Sequence, residues 1–170
     1  DDASNDGTKE IVQAYAQSYP NRVRAVLQKE NQYSKHVSVL YNYLLPIAKG
    51  KYFAICEGDD YWIDPYKLQK QYDYMESHPT CTLCVHNAIK VDRKDTFVAN
   101  YTTTRISREI PCKRVVQSGG GFCVTNSIFA PLKLLKARPK YMKNNAFDYV
   151  LQTYLASCGT VYCFKERMSA

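Results

Sequence analysis

The stretch GKYFAICEGDDYWIDP, residues 50–65, decides the fold. Its apolar run at 52–56 is continuous rather than alternating, which is typical of a strand buried on both faces of a sheet. An acidic turn, 57–60, follows directly, and Asp64 before Pro65 predicts a helix start with an N-cap and a preset first position. Strand, turn and helix in this order predict one unit of an α/β sheet.

Helix and strand signals alternate outward from this stretch. We expect Leu68, Tyr72 and Met75 to face inward from the helix after Pro65, and Pro46 to kink an earlier helix. The predicted elements are helices near 8–19, 37–48, 64–78, 131–138 and 146–157, and strands near 23–27, 52–56, 81–91 and 161–164. We therefore predict an α/β fold with a mixed, mostly parallel sheet flanked by helices, in one domain over residues 1–170.

Composition and charge restrict the classes of partner. The chain is 45% apolar, with 23 basic and 16 acidic residues and a net charge of +7. Such a charge suits an anionic small molecule, an anionic membrane surface or nucleic acid. Because the basic residues are scattered, we predict no nucleic-acid partner, and leave open a peripheral contact at the inner face of a membrane.

The seven cysteines are an odd number, and several lie in apolar runs, among them Cys56, Cys123 and Cys163. This pattern favours reduced, buried thiols in a cytoplasmic protein over a disulfide framework. Cys81 and Cys84 form a C-x-x-C pair without a second ligand pair. We therefore interpret them as core cysteines rather than metal ligands.

Three acidic clusters are expected at strand ends or helix starts, where open α/β sheets bind ligands. The first, residues 1–8, is either a simple strand-to-helix turn or a contact for a base or ribose. In the second, Glu57, Asp59 and Asp60 repel one another, which favours a divalent cation over a solvated acidic turn. The third, Asp148, either interacts with a helix dipole or acts as a general base, and its position alone does not choose.

Two further features have more ordinary explanations. Trp62 is interpreted as core packing rather than as a platform for a sugar ring. Residues 119–121 are three glycines without the lysine and hydroxyl residue of a phosphate loop. They predict either a flexible connection or a place where substrate approaches the backbone.

Three segments together resemble the family-2 glycosyltransferases. DDASNDGT, residues 1–8, is similar to the D-D-x-S-x-D-G-T segment of that family. AKGKYFAICEGDDYWIDPYKLQKQ, residues 48–71, resembles its glycine, buried strand, D-x-D-type motif, proline and helix. FDYVLQTYLASCGTVYCFKERMSA, residues 147–170, resembles its third segment, in which an aspartate opens a helix. Their order and spacing also match.

The resemblance implies a GT-A fold and a nucleotide-diphospho-sugar donor, with a UDP-sugar preferred, bound together with Mn²⁺ or Mg²⁺. By position, Asp2 would contact the nucleotide base, and Ser4 would also belong to the donor site. Asp59 and Asp60 would serve the ribose and the metal-diphosphate, with Glu57 as a further metal ligand.

The resemblance also implies the reaction. Asp148 would deprotonate an acceptor hydroxyl on a surface glycan or lipid-linked precursor, and this hydroxyl would displace the diphosphate in one step with inversion. A non-catalytic nucleotide-sugar-binding module, or an inactive fragment, is the alternative. A sugar nucleotidyltransferase is disfavoured because no G-x-G-T-R loop is present.

Some residues depart from the family pattern. Glu57 replaces the usual first aspartate of the acidic motif, and Phe147 stands where many relatives have an acid. No Q-x-x-R-W segment follows, which argues against a processive synthase. The family's first strand is missing before Asp1, so we expect a catalytic domain that is partial at both ends.

Overall fold

The computed structural model describes residues 1–142 and 148–170. Its contacts group these residues into two units. Unit 1 comprises Asp1–Lys49 and the described residues of Pro139–Ala146, and unit 2 comprises Gly50–Arg138 and the described residues of Phe147–Ala170. The single domain expected over residues 1–170 stays a prediction.

The described residues of unit 1 contain one regular α-helix, α1 (Thr8–Ser18), which confirms the helix predicted near 8–19. The helix predicted at 37–48 is instead a π-helical turn, Leu40–Leu44, followed by a 3₁₀ turn, Leu45–Ile47. Pro46 lies inside the 3₁₀ turn and has no N–H for an α-helical bond, which explains the change of winding. A further 3₁₀ turn covers Tyr33–Lys35.

The residues predicted as a strand at 23–27 lie beside Asp1. The Asp1 amine donates to Val26 O at 2.8 Å, and Gln28 N donates to Asp1 O at 3.0 Å. One residue bonded to positions two apart on its neighbour is the pattern of a parallel strand pair. The beginning of unit 1 is therefore held by strand-like hydrogen bonds.

Unit 2 is built on one sheet. Its strands are β1 (Tyr52–Ala54), β2 (Cys81–Val91), β3 (Phe97–Tyr101), β4 (Arg108–Ile110), β5 (Phe129–Pro131) and β6 (Thr160–Ser169). The order is β1-β5-β2-β6-β4, with β3 also paired to β2. β1 is an edge strand of this sheet. Its residues are therefore only half-buried and are not enclosed on both faces as predicted.

The expectation of a mostly parallel sheet is wrong for the described strands. β2 and β6 pair in parallel, whereas β1–β5, β2–β5, β2–β3 and β4–β6 are antiparallel. Apolar runs predict that a strand is buried, but they do not encode the direction of its neighbour. The mixed α/β class itself is confirmed.

Four α-helices accompany this sheet in the part of unit 2 that the structure describes. They are α2 (Lys67–Ser77), α3 (Cys112–Gln117), α4 (Leu132–Lys136) and α5 (Asp148–Cys158), with short 3₁₀ turns at Gly119–Gly121 and Thr125–Ser127. A further 3₁₀ turn, Lys140–Met142, belongs to unit 1.

The buried face of α2 differs from the prediction. Met75 is buried as expected, but Leu68 and Tyr72 are 41% and 42% exposed. Lys67 and Gln71 occupy the buried positions instead. The apolar pattern therefore predicted the buried face of α2 correctly at Met75, but one residue too far along the chain in the first part of the helix.

All seven cysteines, each in the described part of the chain, are free. Cys123 and Cys163 are buried as predicted, but Cys56 is exposed because β1 ends two residues before it. Cys81 and Cys84 are buried in β2, and burial raises the pKa of Cys81 to about 11, which agrees with core thiols. Within the described residues, no helix is long and apolar enough to cross a membrane.

Candidate functional site

The acidic segment 57–60 follows β1 as a closed turn. Asp60 N donates to Glu57 O at 3.3 Å. Immediately after it, Tyr61 and Ala170 exchange two backbone hydrogen bonds of 3.0 and 2.9 Å. The turn is thus held between β1 and the residue that follows β6, at the end of β1 where the sequence predicted a site.

Asn126 joins the elements around this turn. The Trp62 indole donates to Asn126 O at 3.0 Å, and Asn126 Nδ2 donates to Ala170 O at 3.1 Å. Ser169 Oγ donates to Asn126 Oδ1 at 2.7 Å. Trp62 therefore has a structural role, which supports its interpretation as a packing residue.

Asp148 is the first residue of α5 and is exposed. Thr125 Oγ1 donates to its Oδ2 at 2.6 Å. Because Thr125 precedes Asn126, one short segment contacts both Asp148 and the elements that hold the acidic turn. Phe147, expected to replace an acid beside Asp148, lies outside the described residues.

A cavity of about 620 Å³ brings four predicted site residues together. We call it the acidic cavity. Residues 120 and 121 of the glycine run contribute to its wall, and the approach of a substrate to their backbone stays a prediction. Its lining includes Glu57, Asp59, Asp60, Asp148, Tyr101, Gly120, Gly121, Thr125 and Asn126.

The acids of this cavity affect one another. Burial raises the pKa of Glu57, and the charge of Asp148 raises it further, with smaller effects of the same sign from Asp60 and Asp59. Burial and the charge of Asp59 likewise raise the pKa of Asp60. The cavity is thus a region of negative potential in which a bound cation would relieve repulsion.

The chemistry of the donor set fits a hard divalent cation, but the geometry does not form a complete set of ligands. Among the described residues, no group of three or more histidine, cysteine, aspartate or glutamate side chains could hold a metal ion. The roles of Glu57, Asp59 and Asp60 as metal ligands therefore stay predictions. One or two carboxylates completed by substrate phosphates remain sufficient for Mg²⁺.

The first acidic cluster belongs to unit 1. Both carboxylate oxygens of Asp2 accept backbone hydrogen bonds, from Gln32 N at 2.8 Å and Tyr33 N at 2.9 Å. These bonds hold the 3₁₀ turn that follows, and each oxygen keeps a further lone pair. The predicted donor-binding roles of Asp2 and of the exposed Ser4 stay predictions.

Sequence reasoning missed Thr125 and Asn126. Both lie in a short polar segment between apolar runs, a pattern that many surface turns share. Asn126 is only 2% exposed, and a buried amide needs hydrogen-bond partners. That burial, the feature that marks it as important, is a property of the folded chain.

A match to a family model identifies the family of this chain. The model of the family described as "Glycosyl transferase family 2" matches residues 1–132. The chain belongs to this family. The resemblance drawn from the three segments is thereby confirmed.

Proteins similar to this chain come from several bacteria. An uncharacterised protein of Mycobacterium tuberculosis is 46% identical over 88 residues, 51% of this chain and 24% of that protein. Putative glycosyltransferase EpsE of Bacillus subtilis is 38% identical over 78 residues, 46% of this chain and 27% of EpsE. The glucosyltransferase WfaP of Escherichia coli is 34% identical over 77 residues, 45% of this chain and 28% of WfaP. The matched part thus spans about a quarter of each curated relative.

The fold also has a solved counterpart. The crystal structure of S. aureus TarS superposes with a TM-score of 0.65 and 16% identity, covering 99% of this chain and 48% of that chain. At this identity the likeness concerns the fold alone. Together with the family match, it confirms the GT-A fold predicted for this family-2 member.

Proposed function

We propose that the chain is the donor-binding and catalytic part of an inverting, metal-dependent glycosyltransferase. It moves a sugar from a nucleotide-diphospho-sugar, preferably a UDP-sugar, to a hydroxyl of a surface glycan or lipid-linked precursor. Family-2 membership supports glycosyl transfer. The observation that supports catalysis is the presence of Asp148 in the same cavity as the acidic turn.

Asp148 is the proposed general base. The hydrogen bond from Thr125 at 2.6 Å orients Oδ2, and Oδ1 is left to accept the proton of an acceptor hydroxyl. The hydroxyl oxygen then attacks the anomeric carbon as the bond to the diphosphate breaks, and the proton remains on Asp148. A base held by a second side chain needs little reorganisation during the reaction.

Asp59 and Asp60 are the residues proposed to hold the divalent cation, which would neutralise the charge of the departing diphosphate. Both line the acidic cavity, and the raised pKa of Asp60 agrees with a site that binding of a cation would stabilise. Glu57 is proposed to add negative charge beside them. Asp2 and Ser4 are proposed to contact the nucleotide.

The relatives support the donor and acceptor classes. WfaP is named as a UDP-glucose-dependent β-1,3-glucosyltransferase that acts on N-acetylglucosamine-diphosphoundecaprenol. TuaG of Bacillus subtilis, 37% identical over 75 residues, is named as a putative glycosyltransferase of teichuronic acid biosynthesis. For this chain, the UDP-sugar donor and the lipid-linked or glycan acceptor are proposals.

The first experiment measures donor binding. The full chain is titrated with UDP, with and without Mn²⁺, and the midpoint of thermal unfolding is recorded. We expect stabilisation by UDP that requires Mn²⁺ and that Asp60→Asn abolishes. Asp73→Asn is the matched control, because Asp73 is exposed on α2 and does not line the acidic cavity.

The second experiment measures turnover, as UDP released from a panel of UDP-sugars in the presence of candidate acceptors. Asp148→Asn is expected to keep Mn²⁺-dependent UDP binding but to lose activity by about a hundredfold or more. Wild-type rates in this variant would remove Asp148 from its proposed role. UDP binding without any turnover in the wild type would support the binding-module alternative.

A further inference from the structure

A row of cavities in unit 2 leads away from Asp148. Tyr101 and Gly121 line both the acidic cavity and a neighbouring cavity of about 290 Å³. Thr102, Thr103 and Arg114 line this second cavity and also a third, of about 580 Å³. Because neighbouring cavities share lining residues, the three lie side by side in unit 2, and Tyr101 Oη donates to Gly121 O at the border of the first two.

The third cavity, which we call the arginine cavity, has the opposite charge. Arg105, Arg108 and Arg114 line it, and none of its described lining residues is acidic. None of the three forms an ion pair with a described residue. Arg114 instead donates to Thr103 O at 2.9 Å.

Arg108 and Arg114 both influence the pKa of the Cys163 thiol. Burial raises the pKa of the Cys163 thiol to about 12, and the charges of Arg114 and Arg108 both oppose that rise. Arg108 lies opposite Cys163 in the β4–β6 pairing, and Arg114 lines the same cavity as Arg108. Glu166, whose charge raises the pKa of the same thiol, accepts a hydrogen bond from Ser107 at 3.3 Å and does not line the cavity.

The loop between β3 and β4, which forms this cavity, is held by Asn87 on β2. Asn87 Oδ1 accepts from Thr103 N at 2.7 Å and from Thr104 N at 3.2 Å. Its Nδ2 donates to Thr104 O and Lys165 O, each at 2.7 Å. Asn87 is 3% exposed, so the loop is tied to the core of unit 2 before any ligand binds.

We propose that the arginine cavity binds a phosphate or diphosphate group of the acceptor while the acceptor hydroxyl reaches Asp148. This assignment rests on the proposed function. Guanidinium groups bind phosphate oxygens in pairs of parallel hydrogen bonds. Three unpaired positive charges match a group with more than one negative charge, whereas a neutral glycan would leave them unbalanced.

The test measures binding of inorganic pyrophosphate by calorimetry in the presence of EDTA, so that the metal-dependent donor site does not respond. We expect the double variant Arg105→Gln/Arg108→Gln to bind about tenfold more weakly or worse. The matched control is Arg93→Gln/Lys94→Gln, which removes two positive charges from the exposed turn between β2 and β3. We expect its affinity to remain within about twofold of the wild type.

Equal pyrophosphate binding by the wild type and the arginine variant would overturn the proposal, as would no binding by the wild type. Glucuronate binding as tightly as pyrophosphate would overturn the assignment to phosphate. Vesicles of phosphatidylcholine with an isoprenyl diphosphate, and a soluble phosphodiester oligomer, then distinguish a lipid-linked source from a polymer. The arginine variant could lose pyrophosphate binding while UDP stabilises neither the wild type nor any variant. That result would support the phosphate site in the arginine cavity and refute the proposed donor site.

Discussion

Replacing Lys67 with methionine tests how a buried ammonium limits the stability of unit 2. Lys67 is 1% exposed, its Nζ donates to Gln71 Oε1 at 2.9 Å, and it lies 4.3 Å from the centre of the Trp62 ring. Among the described residues it has no carboxylate partner. A buried charge held by an amide and a ring is only partly compensated.

The magnitude follows from proton linkage. Burial lowers the pKa of Lys67 from 10.5 to about 8. Below the folded pKa both states hold the proton, so the folded state bears the whole cost of the buried charge, about 3 kcal/mol. Between the two pKa values the folded chain releases its proton first, and the cost falls as the pH rises. From pH 7 to about pH 9.5 the expected fall is about 2 kcal/mol.

The assay is urea unfolding of wild type and Lys67→Met at both pH values, followed by circular dichroism. At pH 7 the variant is expected to be more stable by about 1–2 kcal/mol, after loss of the bond to Gln71. At about pH 9.5 this advantage should be lost. Lys94→Met is the control, since Lys94 is exposed in a turn and its replacement should not alter the pH dependence. A difference between Lys67→Met and wild type that stays constant with pH would refute the reasoning.

Two further predictions concern packing and acid stability. A Cβ at Gly159 would lie 2.3 Å from Thr80 O, so Gly159→Ala should reduce the free energy of unfolding by about 2–3 kcal/mol. A Cβ at Gly58 would have nothing within 4 Å, so Gly58→Ala should change this free energy by less than about 0.5 kcal/mol. Equal urea midpoints for the two variants would contradict this packing. Burial lowers the pKa of His86 from 6.5 to about 3, so the unfolded state binds the extra proton and stability falls as the pH drops below 6.5. Between pH 7 and pH 5 the free energy of unfolding of the wild type should fall by about 2 kcal/mol more than that of His86→Gln. An equal fall in the two proteins would disprove the prediction.

Much of the local structure was predictable because it depends on neighbours in the chain. The helix near 8–19 follows from apolar spacing, and β2 follows from its alternating residues. The acidic turn follows β1 as predicted. The three segments that led to family 2 are likewise short stretches whose order alone is informative.

The site was predictable only in part. Glu57, Asp59, Asp60 and Asp148 were identified from type and position, and the fold places them around one cavity. The hydrogen bond that orients Asp148 was not predictable, because Thr125 is 23 residues away and nothing in its own segment indicates the contact.

The sequence by itself determined the family, the α/β class and the acids of the cavity, since these depend on residue type and short-range order. Only the tertiary structure decided the direction of the strands, the buried face of α2 and the grouping of three arginines. The physical reason is that buried polar groups need hydrogen-bond partners, and these partners often lie far away in the sequence. Gln71 occupies the buried face of α2 because its amide reaches Cys84 O and Ser127 O, at 3.0 and 2.9 Å.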